Sequence, residues 1–272
     1  MRTLVHLSDL HFGRVDQQLL APLIKLVHTI APDVVVVSGD LTQRAKRDEF
    51  IAARVFLDTL PAPQIIVPGN HDIPLYNVVN RFLRPLAKYT RFITEDLMPF
   101  FADDEVAVIG VNTARSLTVK DGRINHEQMG QVQARLACLP ASVIRVIVTH
   151  HPFDLPESFD QDHLVGRAPA ALAAFAASGA DLLLAGHLHA SHAGTTAARY
   201  PIGGFAALAV QAGTATSTRG RGETNSFNVI RTSTDAIAIE RFSWNDASKQ
   251  FTSAGTESFH RDQDLWLPAA TT

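Results

Sequence analysis

The stretch "LVHLSDLHFG", Leu4 to Gly13, decides how the chain is read. Leu4 to Leu7 is a run of strand length, apolar but for His6, and it passes into a carboxylate and an imidazole, Asp9 and His11, just before a glycine. Alternate residues of a strand face the same side, so an extended chain would aim Asp9 and His11 at one point. The same ending recurs. "DVVVVSGD" (Asp33–Asp40), "QIIVPGNHD" (Gln64–Asp72), "VIRVIVTHH" (Val143–His151) and "ADLLLAGHLH" (Ala180–His189) each lead an apolar run into Asp, Asn or His. "EVAVIGVNT" (Glu105–Thr113) is a further run of this kind. Continuous apolar runs of this length fit strands covered on both faces.

Helical spacing fills the intervals. Leu19, Leu20, Leu23, Ile24 and Val27 predict a helix over Asp16–Ile30, and Phe50, Ile51, Val55 and Phe56 predict one over Asp48–Leu60. His126–Leu139 and Ala168–Ala177 complete the set. Strands alternating with helices specify an α/β fold. After His189 the pattern changes: "SFNVIRT" (Ser226–Thr232) and "AIAIERFSW" (Ala236–Trp244) alternate apolar and polar residues around the turn "TDA" (Thr234–Ala236). Antiparallel strands are expected over about residues 190–260, and the tail from Gly255 reads as polar and uninformative. Residues 1–272 read as a single domain with a helical insertion at about 73–101, placed directly behind a motif as a wall or lid.

The chain has 272 residues, 46% hydrophobic and 19% charged, with a net charge of −3. Nothing in that balance marks a nucleic acid polymer as partner. No run of 18 apolar residues offers a membrane span, and no apolar leader precedes a cleavage site. The one cysteine, Cys138, permits no internal disulfide, which suits a reducing, cytoplasmic setting. Its neighbours Leu136, Ala137 and Leu139 make it read as a small core side chain.

In α/β sheets ligands bind beyond the carboxyl ends of strands. His11, His71, His150, His151, His187 and His189, six of the twelve histidines, fall in these endings, together with Asp9, Asp40, Asn70 and Asp72. Mixed carboxylate and imidazole donors suit Zn, Mn, Fe or Co rather than Ca. Adjacent strand residues face opposite sides, so at most one of His150 and His151 is expected to bind metal. Arg14 follows just after the first pair. The loop "FDLPESFDQDHL" (Phe153–Leu164) reads as lying beside the site.

Asp-x-His, Gly-Asp, Gly-Asn-His-Asp, His and Gly-His-x-His, in this order, resemble the calcineurin-like metallophosphoesterases. "HLSDLH", "GNHD", "THHP" and "GHLH" look most like the branch of class III cyclic nucleotide phosphodiesterases and related glycerophosphodiesterases. The likeness covers about Leu4–His189, and "AGTATSTRGRGETNSFNVI" (Ala212–Ile230) resembles that branch further on. The resemblance implies a four-layer α/β/β/α sandwich of two mixed sheets flanked by helices, with two divalent metal ions (Mn, Fe or Zn) between the sheet ends. It implies Asp9, His11, Asp40 and His189 as ligands of one ion and Asp40, Asn70, His150 and His187 as ligands of the other, Asp40 bridging. His71 would lie near the leaving group as general acid or electrostatic clamp, oriented by Asp72. His151 would bond a ligand or the substrate, Arg14 would meet a phosphate oxygen, and Arg219, Arg221 and Asn225 are candidates for the pocket rim.

The implied activity is hydrolysis of small phosphodiesters, of cyclic nucleotide or glycerophosphodiester type, by in-line attack of a metal-bridging hydroxide. Two divalent ions, Asp9, Asp40 and a hydroxide sum to about +1, which suits an anionic diester whose charge grows in the transition state. A nucleotide-sugar or lipid pyrophosphatase is the alternative within the fold. The short chain and absent basic patch count against a DNA exonuclease. Scaffold proteins of this fold typically lose metal ligands or the motif histidine, all of which are present here. The branch resemblance also makes a homodimer an expectation.

Overall fold

The four consecutive valines Val34–Val37 form strand β2, and their side chains part into two cores. Val34 and Val36 join Leu4, Ile65, Val106, Val146, Leu182 and Val210 in one cluster, while Val35 and Val37 join Leu19, Leu23, Phe50 and Phe56 in another. A strand with helices on one face and a second sheet on the other has no polar face to alternate with, which explains the unbroken run. These relations come from a computed structural model that describes residues 1–75, 78–116, 121–155, 161–197, 199–219 and 222–269.

Two sheets pack face to face. The first is built, in spatial order, from β13 (Leu265–Pro268), β12 (Gln250–Asp262), β11 (Ala236–Asn245), β10 (Ser226–Thr232), β1 (Arg2–Leu7), β2 and β3 (Gln64–Ile66). The second runs β4 (Phe100–Ala102), β5 (Val106–Gly110), β6 (Ile144–Val148), β7 (Leu182–Ala185), β9 (Leu208–Gln211) and β8 (His192–Thr195). Both sheets mix parallel and antiparallel pairs. Helices α1 (Gln17–Ile30), α2 (Arg47–Leu57) and α4 (Ala87–Phe92) cover the first sheet through the cluster holding Leu19, Phe50 and Tyr89. Helices α5 (His126–Leu136) and α6 (Ala168–Ala177) cover the second through Val132, Leu136, Leu172 and Phe175. Three apolar clusters thus separate four layers, as the resemblance implied. Among the described residues no helix is long and apolar enough to cross a membrane.

Several expectations are corrected. The strands after His189 divide between both sheets, and β9 runs parallel to β7 because β8 intervenes as a hairpin arm. The tail is not uninformative: Trp266 on β13 is buried, and its Nε1–H donates to Asp181 Oδ1 at 3.0 Å. The same oxygen accepts from Arg261 Nη2 at 2.6 Å, and Asp181 Oδ2 accepts from Arg145 N at 2.8 Å. Asp181 therefore fastens the last strands of one sheet to the other. Asp181→Asn should cost about 1–3 kcal/mol by leaving buried donors poorly matched, read as a lower urea midpoint at unchanged slope. Cys138 is exposed rather than in the core. It lies just past the end of α5, where the apolar face has already ended at Leu136.

Behind Asp72 the chain forms α3 (Val78–Leu83) and α4 before entering β4. Leu86 and Tyr89 are buried, and the Tyr89 hydroxyl donates to Ile66 O at 3.0 Å, so α4 commits its apolar face to the first sheet. Phe82 and Leu83 remain exposed.

Candidate metal centre

All five motif strands stop short of their functional residues. β1 ends at Leu7, β2 at Val37, β3 at Ile66, β6 at Val148 and β7 at Ala185. Asp9, His11, Asp40, His187 and His189 then take positive φ, between 50° and 73°. Asp, Asn and His tolerate this left-handed region better than most residues. The extended chain expected at Asp9–His11 is thus not what joins them. Instead each kinked loop is held by the next: Asp9 N donates to Gly39 O at 3.1 Å, His11 N to Asp40 O at 2.9 Å and Gly186 N to His150 O at 3.1 Å.

Backbone must come very close here, and glycine permits it. A Cβ on Gly69 would collide with Asp40 Oδ1, and one on Gly186 with Ser8 Oγ and Asp9 Oδ2. Through that gap Ser8 Oγ donates to Asp9 Oδ2 at 2.7 Å and His187 N–H donates to the same oxygen at 3.0 Å. Asp9 Oδ1 is buried without a well-aligned donor, although His189 Nε2 lies 3.2 Å and His11 Nε2 3.6 Å away.

The hydrogen bonds assign ring tautomers. A carbonyl can only accept, so His189 Nδ1–H donates to Arg219 O at 3.1 Å and His150 Nδ1–H donates to Ser38 O at 2.8 Å. In the neutral rings both Nε2 atoms then carry lone pairs. His189 Nε2 lies 3.2 Å from His11 Nε2. His150 Nε2 lies 3.1 Å from Asn70 Oδ1 and 3.3 Å from His187 Nδ1, and His187 Nδ1 lies 3.1 Å from Asn70 Oδ1. Asp40 stands between the two groups, Oδ2 3.7 Å from His11 Nε2 and Oδ1 3.5 Å from His150 Nε2.

These donor sets fit divalent cations. Buried acceptors facing acceptors repel unless a cation lies between them. Two ligand atoms about 2.0–2.1 Å from one ion are about 3.0–3.4 Å apart, the spacing of His189 from Asp9 and His11 and of Asn70, His150 and His187 from one another, while Asp9 and His11 stand 3.6 Å apart. Charges agree: despite burial, His189 and His11 hold the Asp9 carboxyl well below the usual carboxylate range, and His150, His71 and His11 lower that of Asp40. Burial, with His151 and His150 beside it, pushes His187 well down, so its ring is neutral.

The remaining predicted residues divide. His151 lies within the same cluster as His150 and His187, its donor atom within 4.8 Å of theirs. Strand alternation does not separate it from His150 because β6 has already ended. Its Nδ1 pairs with Thr113 Oγ1 at 2.8 Å. Asp72 does not orient His71, contrary to expectation. Its carboxylate accepts from Leu41 N, Thr42 N, Thr42 Oγ1 and Gly69 N at 2.9–3.1 Å, and burial with Asp40 nearby raises its pKa to about 6. It pins two motif loops together. His71 is held instead by Gln43, whose carbonyl accepts from Nδ1–H at 2.8 Å, while Arg219 Nη1 lies 3.1 Å from Nε2. Arg14 is exposed, and its contacts are backbone ones, with His11 O and Thr218. Asn225 supports the loop of Arg219 through Ser217 O at 2.8 Å. Arg221 lies outside the described residues. His163, from the loop expected beside the site, has its ring 6.3 Å from that of His187.

Sequence reading missed Ser8, Ser38, Gln43, Thr113, Thr214 and Thr216. Thr214 Oγ1 donates to Asp9 O at 2.7 Å and Thr216 Oγ1 to Leu10 O at 2.8 Å, clamping the first motif from the far end of the chain. The alternating hydroxyls of "TATST" (Thr214–Thr218) were their one visible signal.

The chain is similar to known proteins in sequence and in fold. A glycerophosphodiester phosphodiesterase, GpdQ, of Enterobacter lignolyticus is 24% identical over 163 residues, covering 56% of this chain and 58% of that protein. The chain thus matches less than two thirds of that relative's length. A purple acid phosphatase of yellow lupin superposes with a TM-score of 0.69 at 12% identity, over 99% of this chain and 57% of that one. A dimetal phosphatase from Danio rerio superposes with a TM-score of 0.66 at 13% identity, over 93% and 98% of the two chains. At such identities the likeness is one of fold. Residues 2–191 match the family model of the calcineurin-like phosphoesterases, and the chain belongs to that family.

Proposed function

We propose that this chain is a metal-dependent phosphodiesterase acting on small diesters. The observation that carries it is the pair of converging metal-ligating groups, Asp9–His11–His189 and Asn70–His150–His187, facing one another across Asp40. They would hold two divalent ions, with Mn, Fe and Zn all compatible with the donors. Bound there, such ions lower the pKa of a water towards neutrality and neutralise phosphate oxygens.

The chain's own residues do the rest. Ser8, Ser38 and the carbonyl of Arg219 fix Asp9, His150 and His189 so that the second oxygen or nitrogen of each faces inward. Asp72 and Gly69 hold the loops that carry Asp40 and Asn70 in register. His71 contributes orientation rather than a proton, since burial lowers its pKa and its Nε2 is an acceptor towards Arg219.

Support for diesters comes from the GpdQ relative. A lipid pyrophosphatase would draw on an apolar groove from residues 73–101, where Leu86 and Tyr89 are buried instead. The test is a panel of monoesters, glycerophosphodiesters, cyclic nucleotides and nucleotide-sugar pyrophosphates with Mn-loaded protein. The expected result is a kcat/KM for diesters at least about 10-fold above that for any other class, about 1.4 kcal/mol of discrimination. A preference for pyrophosphates would overturn the reading. Protein that binds no metal after growth in Mn, Fe and Zn, and turns over no substrate, would favour a scaffold.

A further inference from the structure

We infer that Arg219, rather than His71, meets the leaving oxygen of the diester, and that His71 is the residue that positions it. The inference rests on the phosphodiester reading above. Gln43 O fixes the proton of His71 on Nδ1, so Nε2 faces Arg219 as a lone pair. A ring in that state has no N–H with which to protonate an alkoxide. It does have a reason to be there, because its edge contact with the His11 ring, centroids 5.0 Å apart, brings the Arg219 head group beside the first set of donors.

Arg219 is built into the centre from its backbone outward. Its N–H donates to Ser217 Oγ at 3.0 Å, and its carbonyl accepts from His189 Nδ1 at 3.1 Å. Asn225 holds the same loop through Ser217 O at 2.8 Å, and Thr214 and Thr216 dock it onto Asp9 and Leu10. The guanidinium is half-buried. Arg219 lies beyond residues 2–191 matched by the family model, within the Ala212–Ile230 stretch.

A guanidinium keeps its proton but supplies charge and several donors where negative charge develops. As the water oxygen forms its bond to phosphorus and gives up a proton to solvent, the electron pair of the breaking P–O bond passes to the leaving oxygen. That charge faces Arg219, and the alkoxide then takes a proton from solvent.

The test compares methyl 4-nitrophenyl phosphate with glycerophosphoethanolamine, a stable-anion and an alkoxide leaving group, in the metal-loaded full chain. Arg219→Ala should lose about 10-fold on the nitrophenyl diester and about 10²–10³-fold on the alkyl diester, at unchanged metal content. Arg219→Lys, or added guanidinium salt, should restore part of the alkyl rate. His71→Ala should show the same bias, and the double variant should be no slower than Arg219→Ala alone. Equal losses on both substrates in an active Arg219→Ala enzyme, or a bias confined to His71→Ala, would overturn this inference alone. Wild-type protein that turns over neither diester would overturn the phosphodiester reading together with it.

Discussion

Asp40→Asn should lower kcat/KM on a nitrophenyl diester by about 10³-fold, the scale on which loss of a preorganised charge at a reacting centre is felt. Asn keeps the shape, and its oxygen can still accept from His71 N, the bond Asp40 Oδ1 makes at 2.8 Å. The charge between the two donor groups is what disappears. Asp40 Oδ2 faces His11 and Oδ1 faces His150, and three imidazoles favour its ionised form in spite of burial. With a neutral amide there, an NH₂ group faces His11 or a cation without the negative charge that would bind the cation, and its N–H groups repel a cation. Bound metal, measured by elemental analysis, should fall from about two ions per chain to about one. Residual activity in this variant also sets the level of any contaminating phosphatase. An Asp40→Asn enzyme with both ions and full rate would remove Asp40 from the bridging position.

Removal of metal should destabilise the fold by about 4 kcal/mol, the linkage expected when a ligand is present at about 1,000 times its dissociation constant. For a chain of this size that corresponds to a melting temperature about 8–16 °C lower. The physical reason lies in the acceptors. Asp9 Oδ1 is buried without a well-aligned donor, and His150 Nε2, His187 Nδ1 and Asn70 Oδ1 converge at 3.1–3.3 Å. Without a cation the charge on Asp9 Oδ1 is unmatched and the His150 Nε2 lone pair is crowded against Asn70 Oδ1. Calorimetry before and after dialysis against a chelator measures the difference. Asp9→Asn should shrink it, since an amide can donate to His189 and needs the cation less. Identical melts of chelated and metal-loaded protein would mean the donors do not share an ion.

Much of this was legible along the chain. The unbroken apolar runs announced strands covered on both faces, and Val34–Val37 do divide between two cores. Helix α1 begins and ends within a residue of the expected span, because Asp16 caps it and Leu19, Leu23 and Val27 mark its inner face. The residues that the fold gathers into one cluster could be named as well, since Asp, Asn and His at the ends of five largely apolar runs are unusual residue types for such places.

Other features were decided only by packing. Asp9 and His11 meet through left-handed kinks, not through strand alternation, and His151 joins His150 on one side because β6 has stopped at Val148. Asp72 follows His71 in the chain yet bonds Leu41, Thr42 and Gly69, while His71 is oriented by Gln43 and meets Arg219, 148 residues away. Trp266 and Asp181 tie a tail that reads as polar to the opposite sheet. Residue type and spacing determine what chemistry a strand end can offer and which face an apolar residue seeks, because both are local properties. Which nitrogen carries a proton, and which distant side chain meets it, depends on distances of about 3 Å between segments far apart in sequence, and only the folded layers set those.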